Sequence, residues 1–76
     1  MPERTSGEDR ARGVLRAEMA RQNVTYAQLV ERLANAGFEE NERNLRNKIS
    51  RGKFTAAFFL DCLAVLGVAR IDLRFD

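Results

Sequence analysis

Apolar positions along the chain fall into four stretches of helical spacing, followed by one stretch of strict alternation. From about Glu8 to Arg21, Ala11, Val14, Leu15 and Met19 share one face with Glu18, which predicts an amphipathic helix of three to four turns. Residues 1–7 before it have no apolar period and hold the only proline, so they are expected to form a flexible arm with the helix cap at Thr5 or Ser6. Thr25, with Gln28 three residues on, has the spacing of a capping box and opens a second helix with an inward face of Tyr26, Leu29, Val30 and Leu33. That helix should close before Gly37, and Phe38 is expected to turn back into the core.

Asn41 is placed to cap a third helix that runs to about Arg51 and closes at Gly52. Its apolar content is thin. Only Leu45 and Ile49, one turn apart, face inward, while Arg43, Asn47 and Ser50 point away and Asn44, Arg46 and Arg51 lie on the flanks. Thr55 caps a fourth helix, with Phe54 and Phe59 at the spacing of a hydrophobic staple. Phe58, Phe59, Cys62, Leu63, Val65 and Leu66 make this the most apolar element, and Gly67 followed by Val68 reads as a Schellman close.

After Val68 the period changes from 3.6 to 2. Ile71, Leu73 and Phe75 take one face, and Arg70, Asp72, Arg74 and Asp76 the other, which predicts a strand over residues 69–76. No other run alternates in this way, and a lone strand leaves its backbone groups unpaired, so a second copy of the chain is the expected partner. An antiparallel pairing about a two-fold axis at Leu73 sets Arg70 opposite Asp76 and Asp72 opposite Arg74, so every charged pair joins opposite signs. A parallel in-register pairing would oppose like charges. The expectation is a homodimer with all seven residues from Arg70 to Asp76 at its interface.

Composition narrows the chemistry. At 76 residues there is room for one domain; 45% hydrophobic and 32% charged residues place it in the ordinary globular range. Histidine is absent and Cys62 is the single cysteine, which leaves no imidazole base, no disulfide and no Cys/His zinc pattern. The Arg51-Gly52-Lys53 stretch lacks the Gly-x-x-x-x-Gly-Lys pattern of a phosphate loop. No catalytic constellation, metal site or cofactor is therefore expected. With no apolar run longer than the five residues Ala56 to Leu60, a membrane partner is not expected either, and a cytoplasmic location is.

The net charge of +2 is small, but its distribution is not even. Between Asn41 and Lys53, five cations stand against Glu42 alone, a local net charge of +4 that leaves −2 for the rest of the chain. Arg can fork onto guanine, Asn can bond adenine through two atoms, and neighbouring cations can neutralise phosphates. Arg43, Asn44 and Asn47 are the candidates for base reading, and Arg46, Lys48, Arg51 and Lys53 for contacts to the DNA backbone. The alternative is a solvated helix face with ordinary surface residues. Cys62, between apolar neighbours, reads as a buried and unreactive thiol.

Val14 to Val68 resembles the lambda-repressor-like (Cro/repressor type) helix-turn-helix family. Thr25 through Leu33 stand as the supporting helix, Asn44-Leu45-Arg46-Asn47-Lys48-Ile49-Ser50-Arg51-Gly52 as the recognition helix and its exit, and Leu63-Ala64-Val65-Leu66-Gly67-Val68 as the closing helix. Asn44 to Gly52, followed by Phe54 and Ala57-Phe58-Phe59, is also similar to a family of short bacterial proteins described as a domain of unknown function. The first resemblance implies an all-α domain of four to five helices over residues 8–68, to which the alternation after Val68 adds a short terminal strand pairing across a dimer. It also implies a sequence-specific, double-stranded-DNA-binding bacterial transcription regulator. The rival expectation is a protein-protein interaction module, an adaptor or antitoxin-like partner on the same scaffold, which Glu39, Glu40 and Glu42 favour.

Overall fold

The computed structural model describes residues 6–72, which carry four helices: α1 (Ser6–Gln22), α2 (Tyr26–Asn35), α3 (Glu42–Arg51) and α4 (Ala56–Val65). Among the described residues no strand occurs and no helix is long and apolar enough to cross a membrane. The expected terminal strand is not formed over Ala69 to Asp72, which have no regular secondary structure, and Leu73, Arg74, Phe75 and Asp76 lie outside the described residues. Helix α1 starts at Ser6, two residues before its apolar period becomes visible. Its first turn holds Glu8 and Asp9, whose charge suits a helix N-terminus but carries no hydrophobic signal.

Three of the four helix starts follow from side-chain chemistry in the sequence. Thr25 Oγ1 accepts from the Gln28 amide at 3.1 Å while Gln28 Oε1 accepts from the Thr25 amide at 2.9 Å, a closed capping box. Asn41 Oδ1 accepts from the Asn44 amide at 2.8 Å, and Thr55 Oγ1 from the Phe58 amide at 3.0 Å. Phe54 stacks on Phe59 with ring centroids 5.9 Å apart, as a staple requires.

The ends are equally regular. Val24, Phe38 and Val68 each donate their amide to a carbonyl five residues back, at 2.8 to 2.9 Å, so α1, α2 and α4 close in the same Schellman geometry. At the first of these Asn23, with φ +56°, takes the left-handed position. The motif also explains Phe38, which does not enter the core. Seated just past the end of α2 beside Leu33, it stays 40% exposed.

The core is a single cluster built from every helix: Leu15 and Met19 of α1, Leu29 and Leu33 of α2, Leu45 and Ile49 of α3, Cys62 and Leu63 of α4, with Val24 and Leu66. Backbones of α1 and α2 each pack against α3 and against α4, so α3 lies along one side of the pair and α4 along the other. The last carbonyls of α4 are met by side chains from elsewhere. Gln22 donates to the Leu66 carbonyl at 2.8 Å, and Arg32 reaches the Val65 carbonyl at 3.5 Å. This arrangement leaves the outer face of α3 and the outer face of α4 uncovered.

Candidate nucleic-acid interface

Leu45 and Ile49 are fully buried and hold α3 to the core; all its other residues except the half-buried Lys48 are exposed. Arg43, Asn44 and Asn47 therefore share an open surface with Arg46, and Arg51 and Lys53 flank the helix exit. Arg43, Asn47, Arg51 and Lys53 make no ion pair or side-chain hydrogen bond among the described residues.

Arg46 and Lys48 are engaged within the chain. Arg46 pairs with Glu42 one turn earlier, and its guanidinium carbon sits 5.3 Å from the centre of the Tyr26 ring. Lys48 Nζ lies 2.8 Å from Glu40 Oε2 and 4.8 Å from the centre of the Phe58 ring. Glu40, with a side chain only 11% exposed, is the more enclosed of the two carboxylate partners. The acidic residues near the start of α3 are thus largely spent on their own chain: Glu40 on Lys48, Glu42 on Arg46.

Sequence reasoning missed the contribution of α1. Arg12 Nη1 donates to the Ser50 carbonyl at 3.1 Å while Nη2 bonds Asp9 at 3.1 Å, and Arg16 reaches the Ser50 hydroxyl at 3.4 Å. These arginines tie the last turn of α3 to α1 across 34 and 38 residues of sequence. Their one-turn spacing was visible, but nothing in the chain indicated which helix would cross them. The exit of α3 is fixed further by Gly52, whose φ is +70° and whose position lies directly against the Glu8 carbonyl.

Cys62 is fully buried among core residues. Burial, reinforced by the carboxylates of Asp61 and Glu40, pushes its thiol up to about 12. Its reaction with an aromatic disulfide reagent at pH 8 is expected to be at least about 100-fold slower in the native state than in denaturant, because almost no thiolate is present. Reaction at the denatured rate would show that the thiol is neither buried nor protonated.

Of the residues expected at a dimer interface, Arg70 and Asp72 are exposed and Ile71 is half-buried; the other four lie outside the described residues. Ile71 lines a shallow groove with Leu60, Leu63, Ala64, Val68, Ala69 and Arg70 on the outer face of α4. No group of three or more potential metal ligands occurs among the described residues.

Residues 8–71 match the family model described as a domain of unknown function (DUF6471). No curated protein and no solved structure matches the chain.

Proposed function

We propose that the chain, which belongs to the DUF6471 family, is a helix-turn-helix DNA-binding protein that lays α3 in the major groove and acts as a regulator of transcription. The observation that carries this reading is the outward set Arg43, Asn47 and Arg51 on α3, with Lys53 just past its exit, which have no ion-pair or side-chain hydrogen-bond partner among the described residues, on a helix that buries only two of its own side chains. In this reading α2 supports α3 from behind and Ala36 to Asn41 forms the connection between them. Arg43, Asn44 and Asn47 read base edges, and Arg51 and Lys53 meet phosphates at the helix exit. Arg46 and Lys48 are secondary contacts, since each must first leave a carboxylate. Exposed ion pairs are worth at most about 1 kcal/mol, so that exchange is inexpensive for Arg46.

Fluorescence anisotropy with a labelled random duplex at about 50 mM salt tests the proposal; non-specific dissociation constants of roughly 10⁻⁴ to 10⁻⁶ M are typical at physiological salt, and binding should be tighter here. No binding at any accessible protein concentration eliminates it. Once a preferred site has been selected, Asn47→Ala is expected to lose about 1 to 3 kcal/mol of discrimination at one base pair while leaving random-duplex affinity nearly unchanged. Equal losses on all sequences would remove Asn47 from base reading.

A second reading, a protein-interaction module, is favoured by the internal pairing of Arg46 and Lys48 and by a groove where Phe38 and Phe58 are rimmed by Glu39, Glu40 and Asp61. A stoichiometric protein partner, together with salt-insensitive behaviour toward DNA, would select this reading over the first.

A further inference from the structure

We infer that the groove on the outer face of α4 is the seat of a second copy of this chain, and that Phe75 of that copy is its central occupant. Leu60 is 61% exposed, the most exposed large apolar side chain among the described residues. It borders a groove of about 200 Å³ lined also by Leu63, Ala64, Val68 and Ile71. At 100° per residue Leu60 lies some 200° around α4 from Phe58, the ring that meets Lys48 of α3. The groove therefore opens away from the basic helix, and filling it leaves α3 free.

The chain's own path names the occupant. Gly67 turns the backbone and the Val68 amide returns to the Leu63 carbonyl, so the segment leaving α4 runs past this groove, with Ile71 on its wall. Four residues follow Asp72, and Leu73 and Phe75 continue the alternating apolar set that Ile71 begins. An antiparallel pairing centred on Leu73 puts Ile71 of one copy directly opposite Phe75 of the other, with side chains about 5 Å apart on the same face. That pairing carries Phe75 of the second copy to the groove wall beside Leu60. By symmetry the same contact forms twice.

Electrostatics select the register. Each copy sets Arg70 against Asp76 and Asp72 against Arg74 of the other, and a shift by one residue would bring the charged face onto Leu60. A two-stranded ribbon is marginal by itself in water, and the two α4 grooves provide the apolar surface it needs. The inference is independent of DNA binding, since it involves neither α3 nor a polyanion.

Light scattering and sedimentation on the full chain from about 1 to 100 µM test it. The parent protein is expected at twice its 8.6 kDa chain mass. Leu60→Asp and Phe75→Ser should each raise the dimer dissociation constant at least about 30-fold, the size typical of a central apolar anchor, with helical circular dichroism retained. Asp72→Arg should weaken the dimer, and the double variant Asp72→Arg/Arg74→Asp should restore it to within about threefold, an outcome that unfolding cannot mimic. A parent protein that stays monomeric at 100 µM overturns the inference, as does a dimer indifferent to Leu60→Asp. A dimer lost on Leu60→Asp but untouched by Phe75→Ser and Asp72→Arg overturns the named occupant.

Discussion

Replacing Gly52 with alanine is expected to lower the melting temperature by roughly 10 to 25 °C, far more than any other single alanine replacement of a turn residue. Two separate penalties meet at this position. The backbone is left-handed, with φ +70°, a conformation that disfavours a residue with a Cβ by about 1 to 2 kcal/mol. A Cβ would also stand 2.7 Å from the Glu8 carbonyl oxygen, closer than such atoms approach, and 3.3 Å from its carbon, a tight contact. Because the obstacle is backbone, it moves only if the first turn of α1 moves. That shift would disturb the hydrogen bond from Arg12 to the Ser50 carbonyl, which joins the same two elements. A combined loss of about 2 to 4 kcal/mol is a large share of the roughly 5 to 15 kcal/mol that holds a small domain together. In a domain of this size each kcal/mol shifts the midpoint by about 4 to 8 °C. Gly67→Ala is the control: its φ is +74°, but nothing lies within 4 Å of the added atom, so only the conformational penalty applies. Thermal melts of the two variants separate the effects, and equal losses would mean that α1 does not press on the exit of α3.

Gly52 also illustrates what a sequence can and cannot convey. Its role as the close of α3 follows from local pattern, as do the caps at Thr25, Asn41 and Thr55, because each depends on residues within one turn. The narrow stripe of Leu45 and Ile49 was visible for the same reason, and so was the outward set on α3. The pairing of Arg46 with Glu42 has the helical i, i+4 spacing and could have been anticipated. Contacts that join distant segments could not: Lys48 to Glu40 depends on how the connection returns, and Arg12 to Ser50 on which helices cross. Glu8 against Gly52 is of the same kind. Phe38 misled because hydrophobicity predicts burial, whereas its place just past a Schellman close holds it at the rim.

Neutralising Glu42 is expected to tighten binding to random duplex DNA about tenfold at 50 mM salt, while removing both Arg51 and Lys53 weakens it about 100-fold. Arg43, Arg51 and Lys53 are the cations of this surface without a partner among the described residues. On a duplex with no preferred site Arg43, Arg51 and Lys53 each meet a phosphate, and about three contacts give a slope of log affinity on log salt near −2.7. Affinity then falls about 40-fold between 50 and 200 mM. Arg46 adds little in the parent protein because Glu42 holds it and would be left facing the phosphates. Glu42→Gln releases the guanidinium and removes the repulsion, adding about one contact and taking the slope near −3.6. Arg51→Ala/Lys53→Ala leaves about one contact and a slope near −0.9. Glu42 stands in the first turn of α3, where its charge favours the helix dipole by about 0.3 to 1 kcal/mol, so Glu42→Gln should melt slightly earlier while binding more tightly. Those opposite movements rule out a general gain in stability as the cause of tighter binding. Anisotropy titrations at four salt concentrations supply all three slopes. If the Arg51→Ala/Lys53→Ala protein keeps the parent's affinity and slope, the polyanion does not lie along the exit of α3, and the major-groove reading fails with it.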